Sequence, residues 1–194
     1  MRILHISDTH GYHWRLYNLP PADVIVHSGD LTANGEDEEV YDFIQWFENL
    51  DYTYKIFIPG NHDINLYDAQ LEGLAKNIYA LYNSGITIEN IHFYGIPFYA
   101  CFSNTLRYQQ MINAIPTGTD VLITHQPPLG VLDKNVTNGG NFDLLNKVYQ
   151  IHPQLHLYGH IHENEGIETI DDITFSNAAL GNRGHYEKWH LFDI

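Results

Sequence analysis

The sequence predicts a layered α/β fold, a single domain over residues 1–194, and three observations carry that prediction. Short apolar runs of strand length alternate with stretches whose apolar residues recur at helical spacing. The runs end in loops rich in aspartate and histidine, and the C-terminal edge is where parallel sheets gather groups that touch ligands. Finally, 194 residues that are 44% hydrophobic and 13% aromatic, without linker, repeat or low-complexity tract, suffice for one sizeable core.

The first run, residues 3–7, is a strand that delivers Asp8-Thr9-His10-Gly11. Asp8 and His10 are two apart, so from an extended segment both point the same way and can share one ion. An aspartate capping a following helix explains the acid equally well. His5, inside the run, and His13, beyond the turn, read as packing or surface residues. The second run, residues 23–27, breaks at Ser28-Gly29 and is followed by Asp30. A helix comes next, with Asn34 or Thr32 as its cap and the acids of residues 36–39 at the positive end of its dipole. Val40, Phe43, Ile44, Phe47 and Leu50 form a stripe that belongs to the core.

The third run, residues 54–58, stops at Pro59-Gly60, a tight turn. Asn61-His62-Asp63 then offer an amide oxygen, an imidazole and a carboxylate side by side, able to hold a metal and move a proton. After it, Tyr67, Leu71, Leu74, Ala75, Ile78 and Leu81 propose a second amphipathic helix. Residues 86–88 and 91–96 change to β-like runs that suggest a hairpin, hence a mixed sheet, with His92 an ordinary side chain. A fainter helical pattern covers residues 104–115, and the buried strand 121–124 delivers His125 into a double-proline loop, Pro127-Pro128, that fixes the imidazole. Residues 141–151 read as a helix and 155–158 as the strand it feeds, ending in Gly159-His160-Ile161-His162. Alternation puts His160 and His162 on one side with Ile161 facing away, so the pair can serve one ion or two. Residues 167–175 and 188–192 read as closing strands, and 177–182 as a loop without an assigned role.

Composition narrows the function classes. Twenty-four acids against nine Lys and Arg give a formal charge of −15, which argues against a duplex nucleic-acid surface. The N-terminal apolar run meets Asp8 too soon for a signal peptide, and no segment is long and apolar enough to span a membrane. The single cysteine, Cys101, read as a small buried side chain, rules out an internal disulfide or a thiolate zinc cluster and makes a cytoplasmic location the expectation. Thirteen histidines without a tag raise the question of which of them meet in space.

The ordered series Asp-x-His, Gly-Asp, Gly-Asn-His-Asp, Thr-His and Gly-His-x-His resembles the calcineurin-like metallophosphoesterases, over about residues 2–165. The segments at residues 5–9, 27–32, 124–133 and 155–163 are most similar to the metallophosphoesterase-domain-containing branch, related to class III cyclic nucleotide phosphodiesterases. The resemblance implies a four-layer α-β-β-α sandwich of two mixed sheets, with a dinuclear metal site at the C-terminal ends of the strands. It assigns Asp8, His10, Asp30 and His162 to one metal, and Asp30, Asn61, His125 and His160 to the other. Some animal relatives carry glycine where this chain has His160; here the full set is present.

Two divalent ions roughly 3.5 to 4 Å apart can share a hydroxide and stabilise in-line attack on phosphorus. Manganese, iron, zinc, cobalt or nickel suits a nitrogen and oxygen ligand set without sulfur. His62 is then free to act as general acid, with Asp63 orienting its loop and Asn61 and His62 placing the phosphate. The implied substrate is a small phosphate ester, with phosphodiesters such as cyclic nucleotides the expected class and phosphomonoesters the alternative. A non-enzymatic scaffold retaining the site is a further alternative. The metallo-β-lactamase pattern His-x-His-x-Asp-His is not met, because His162 is followed by Glu163-Asn164.

Overall fold

The computed structural model describes residues 1–67, 69–98, 105–134, 139–180 and 189–194, which form two mixed sheets. In the first, β1 (Arg2–Ile6), β2 (Val24–His27), β3 (Tyr54–Phe57) and β4 (Ile78–Ala80) run parallel in that order. β11 (His190–Asp193) closes its edge antiparallel to β1. The second contains β5 (Ser84–Ile88), β6 (Ile91–Ile96), β7 (Val121–Thr124), β8 (Leu155–Tyr158), β9 (Gly166–Ile170) and β10 (Ile173–Asn177), ordered β5-β6-β7-β8-β10-β9. Its inner strands β6, β7, β8 and β10 are parallel, and β5 and β9 flank them antiparallel.

Side-chain alternation turns the sheets into layers. Ile3, Val24, Val26 and Ile56 meet Phe93, Val121, Ile123, Leu155 and Leu157 between the sheets. Their neighbours Leu4, Ile6, Ile25 and Phe57 point outward onto Val40, Phe43 and Phe47 of α1 (Asp37–Glu48). Tyr94, Leu122, Tyr158 and Phe175 point outward from the second sheet. They pack on Tyr108, Met111 and Ile112 of α2 (Leu106–Ala114) and on Leu144, Val148 and Ile151 of α3 (Phe142–Ile151). The architecture is the expected α-β-β-α sandwich. Phe43, fully buried, has Phe47, Phe57 and the His27 ring within 5.8 Å of its own centroid; burying such a ring stabilises by about 1.5–3 kcal/mol.

The local signals of α1 differ from expectation at its cap. Glu36, not Asn34 or Thr32, is the N-cap. Glu39 in the first turn folds back so that its carboxylate accepts the backbone N–H of Ala33, Asn34 and Glu36. Thr105 and Asn141 cap α2 and α3 through side-chain oxygens.

The helix expected from Tyr67 to Leu81 is not formed. A single 3-10 turn, Ile64–Leu66, leads into irregular chain, and Ile78–Ala80 is β4. Leu71, Leu74 and Ala75 still pack against the outer core, but from a chain that Gly73 turns at φ +78°. Ile78 and Leu81 face different cores, which one helical stripe cannot do. Pairing with β3 outweighs the helical period here. The expectation for Cys101 lies outside the described residues, and among those described no helix is long and apolar enough to cross a membrane.

Candidate metal centre

Every predicted ligand arrives at one edge of the sandwich from the C-terminal end of a parallel strand. Asp8 and His10 follow β1, Asp30 follows β2, and Asn61 follows β3. His125 follows β7, while His160 and His162 follow β8. Beyond the strands the two loops of the first sheet stay zipped together, Asp8 N–H to Gly29 C=O, His10 N–H to Asp30 C=O and Gly11 N–H to Leu31 C=O. Asp8, His10, Asp30 and His160 take left-handed backbone, with φ of 57°, 45°, 57° and 70°. For residues with a Cβ that conformation is uncommon and costs of order 1 kcal/mol or more each. The zipped backbone holds it, and it turns the side chains inward. Gly60 and Gly159 are required by close approach: a Cβ on the first would strike the Asp30 carboxylate, and on the second the Asp8 carboxylate and the Ser7 hydroxyl.

Two groups of donor atoms result, each within 4.8 Å of one another: Asp8 with His10 and His162, and Asp30 with His125 and His160. His162 Nε2 lies 3.2 Å from Asp8 Oδ1 and 3.3 Å from His10 Nε2. His125 Nε2 lies 3.3 Å from Asp30 Oδ2 and 3.0 Å from Asn61 Oδ1. Asp30 Oδ2 also lies 3.8 Å from His10 Nε2, so this carboxylate stands between the groups.

The donor set fits a cation. His125 donates its Nδ1–H to the Ser28 carbonyl at 2.9 Å, so in the neutral ring a bare Nε2 faces two oxygens. That arrangement needs a positive charge in its midst, a proton or a metal. Burial opposes the charged ring, but the carboxylates of Asp30 and Asp8 outweigh it, and the imidazole is pushed up to about 9. Burial equally opposes the Asp8 anion, yet His125 and His162 hold its carboxyl far below the usual range. Burial, reinforced by His125, pushes His160 down to about 4, leaving it neutral and able to donate a lone pair. Neutral imidazoles, an amide oxygen and carboxylates, without sulfur, suit first-row divalent ions.

The cleft above is lined by His10, Tyr12, Asp30, Ala33, Asn61, His62, His160 and His162. The backbone N–H of His62 donates to Asp30 Oδ1 at 2.8 Å, and its ring Nδ1–H donates to the Ala33 carbonyl at 2.7 Å. Nε2 is thereby the nitrogen left for the cleft. His62 also lies close enough to His10 and Asp30 to form a third donor group with them. Asp63 sits beneath, fully buried. It accepts from the N–H of Leu31, Thr32 and Gly60 and from the Thr32 hydroxyl, tying the loops after β2 and β3 together. Burial and the nearby Asp30 push its carboxyl up, to about 6, against the pull of those donors.

Several supporting residues carry no role in the sequence reasoning. His27 Nε2 bonds the Thr9 hydroxyl and its Nδ1 accepts the Gly29 N–H, so a buried imidazole joins the loops carrying His10 and Asp30. Burial pushes His27 down to about 3, keeping it neutral. Asn177 donates to the carbonyls of Ile161 and Leu132, fixing the turn between His160 and His162. Of the segment expected as a loop at 177–182, Asn177 ends β10 and Ala179 is bridged to Ser7, while residues 181–182 lie outside the described residues. A polar side chain inside an apolar run was the available signal for His27. The double-proline loop is anchored by Asn141 N–H donating to Pro127 C=O, whereas the His125 imidazole it was expected to fix is hydrogen-bonded to the Ser28 carbonyl.

Comparison with known proteins agrees with this geometry. The family model for calcineurin-like phosphoesterase matches residues 1–164. A UPF0046 protein of Caenorhabditis elegans is 33% identical over 212 residues, covering 95% of this chain and 71% of its own. Metallophosphoesterase domain-containing protein 1 of Homo sapiens is 34% identical over 216 residues, covering 92% of this chain and 66% of its own, so the chain spans just under two thirds of that relative. Among solved structures, TT1561 of Thermus thermophilus aligns with a TM-score of 0.68 at 13% identity, over 92% of this chain and 88% of its own. That likeness speaks for the fold alone. The sequence match, together with donor groups able to hold metal, supports a phosphoester hydrolase, and the chain belongs to the calcineurin-like phosphoesterase family.

Proposed function

We propose that the chain is a dinuclear-metal-dependent phosphoesterase that hydrolyses small phosphodiesters, cyclic nucleotides among them, with His62 protonating the departing oxygen. The observation that carries this reading is a pair of donor groups with Asp30 between them, directly beside His62. Two divalent ions bound there would supply positive charge against the phosphoryl oxygens and lower the pKa of the attacking water. The residues of the chain do the rest. Asp8 and Asp30 offset charge, the imidazoles of His10, His125, His160 and His162 bind without adding any, and Asn61 sets its amide oxygen beside His125 at 3.0 Å.

With Nδ1–H held by the Ala33 carbonyl, neutral His62 has a bare Nε2, so the acid form is the imidazolium with Nε2–H turned to the leaving oxygen. A diester is favoured over a monoester by charge. Among the described residues lining the cleft there is no lysine or arginine, and the chain carries −15 overall, which suits a substrate with one negative charge better than a dianion.

The test is turnover with Mn²⁺ on bis-p-nitrophenyl phosphate, p-nitrophenyl phosphate, and 2′,3′- and 3′,5′-cyclic nucleotides. Diester rates above the monoester rate support the reading. Metal retention without turnover of any ester would instead support a scaffold that keeps the site.

A further inference from the structure

Away from the cleft, between the sheets, lies a chain of polar side chains that the reaction does not touch. Ser28 Oγ is 2.8 Å from His5 Nε2, and His5 Nδ1 is 2.7 Å from Ser176 Oγ. Ser176 Oγ is in turn 2.7 Å from His190 Nδ1, and His190 Nε2 is 3.1 Å from Glu165 Oε1. His5, Ser28 and Ser176 are fully buried, and burial drives His5 well below the ordinary imidazole range, so its ring is neutral. Glu165 is partly exposed at the other end.

Donor counting gives this chain a direction. The Glu165 carboxylate only accepts, so His190 presents Nε2–H to it, and at a pH where the His190 ring is neutral its Nδ1 accepts from the Ser176 hydroxyl. Ser176, having spent its one proton, accepts from His5 Nδ1–H. His5 Nε2 is then bare and accepts from the Ser28 hydroxyl. With His190 neutral, one proton arrangement satisfies all four bonds and the carboxylate sets its sense. Ser28 is also the residue whose carbonyl receives His125 Nδ1–H at 2.9 Å. The chain therefore starts at the surface and ends on the residue that orients a proposed metal ligand.

We propose that Glu165, His190, Ser176, His5 and Ser28 form one polarised hydrogen-bond relay that positions His125, so that Glu165 tunes metal affinity from a distance without touching the site. These are positioning residues, and the claim that His125 binds metal rests on the function proposed above. Outer partners of metal-binding histidines fix ring orientation and typically change metal affinity 10–100-fold when lost. The effect of Glu165 passes through four hydrogen bonds to Ser28 and a fifth to His125 and is correspondingly smaller, about 3–10-fold.

Two measurements decide the matter. The first is the ¹⁵N spectrum of histidine side chains in the metal-free protein at about pH 8.5, some two units above an ordinary imidazole. His5 should be a single Nδ1–H tautomer in the unsubstituted protein and in Glu165→Gln, which keeps an acceptor oxygen, and should shift toward a mixture in Glu165→Leu. The second is calorimetric titration with Mn²⁺ alone. Ser176→Ala and Glu165→Leu should each weaken binding about 3–10-fold, Glu165→Gln should restore it, and the double variant should bind no worse than the poorer single, because a relay already cut cannot be cut again.

An Nε2–H or averaged His5 in the unsubstituted protein overturns the relay. So does Glu165→Leu with unchanged His5 signals and unchanged Mn²⁺ affinity, or additive losses in the double variant. Because Glu165 lies at the surface end, its variants keep the test open even where Ser176→Ala folds poorly. Absence of Mn²⁺ binding by the unsubstituted protein would strike the functional reading, while the His5 signal still decides the relay.

Discussion

Asparagine in place of Asp63 changes one oxygen to an NH₂ group at constant volume, in a pocket that offers only donors. Oδ2 accepts the N–H of Leu31 at 3.1 Å and of Gly60 at 2.8 Å, so an amide nitrogen on that side would orphan both. Oδ1 accepts the Thr32 N–H at 2.9 Å and the Thr32 hydroxyl at 2.7 Å. There the hydroxyl can turn to the His62 carbonyl, 3.2 Å away, and leave one backbone N–H unpaired. The second orientation is the cheaper. A buried orphan N–H costs about 1–3 kcal/mol, and the charge assistance lost by the remaining bonds is offset by relief of the burial and Asp30 repulsion that push this carboxyl up, so the net loss is about 1–3 kcal/mol. For a chain of this length that lowers Tm by about 2–12 °C.

Asp30→Asn behaves oppositely. Above about pH 9, where the His125 ring is neutral, its Oδ1 still accepts the His62 N–H and its new NH₂ can donate to His125 Nε2, so metal-free stability changes little there while the charge shared by both donor groups disappears. Thermal melts of both metal-free variants, then metal content and kcat/KM after loading, test the contrast. Asp63→Asn should melt early yet keep more activity than Asp30→Asn at a temperature where both are folded. A Tm within about 2 °C of the unsubstituted protein for Asp63→Asn, or equal losses of activity with both metals retained, would refute the reasoning.

Elemental analysis after reconstitution should find two ions per chain, with His160→Ala reducing the count; a stoichiometry that never exceeds one, unchanged by His160→Ala, contradicts the pair. His62→Ala should slow esters with basic leaving groups by about 10²–10⁴-fold and spare p-nitrophenyl esters, steepening the dependence of rate on leaving-group pKa. Loss of a metal in that variant would make His62 a ligand, as its place beside His10 and Asp30 also allows. Metal-free protein should lose stability as pH rises: His125 is pushed up to about 9 when folded against about 6.5 unfolded, so its contribution is complete below about 6.5 and gone above about 9. Metal must displace that proton, so affinity should rise with pH across the same window, and a flat metal-free Tm there would contradict the assignment.

Apart from β4, the strands were legible because they are short β-branched or aromatic runs that stop at a polar loop, and the site was legible because those loops carry its candidate ligands. The 67–81 stretch was misread for a definable reason. Apolar residues at helical spacing also arise when irregular chain crosses a core and then joins a sheet, and only the partner strand β3 distinguishes the cases. The cap of α1 was misplaced because Thr32 and Asn34 are good caps in isolation, whereas the Thr32 hydroxyl is committed to Asp63 and the Asn34 backbone N–H is held by Glu39, with the helix starting past Glu36. His5, read as packing, is packed and also bonded at both ring nitrogens; its partners Ser28 and Ser176 are distant in sequence and carry no pattern of their own.

The candidate ligands are divided between the sheets, and that division would impose an order on how a metal is acquired. Asp8 and His160, whose backbone N–H meets the Asp8 carboxylate, are 152 positions apart. At about 5–20 residues per second, a nascent chain carries Asp8, His10 and Asp30 for roughly 5–19 s before the second sheet supplies the first of its imidazoles, His125. Two acids and one imidazole discriminate poorly among divalent ions. Were an ion held by these candidate ligands, its selection would wait until the sandwich has closed and His125, His160 and His162 impose their geometry, so the choice would fall to a finished scaffold rather than to the first ion to meet the emerging polypeptide.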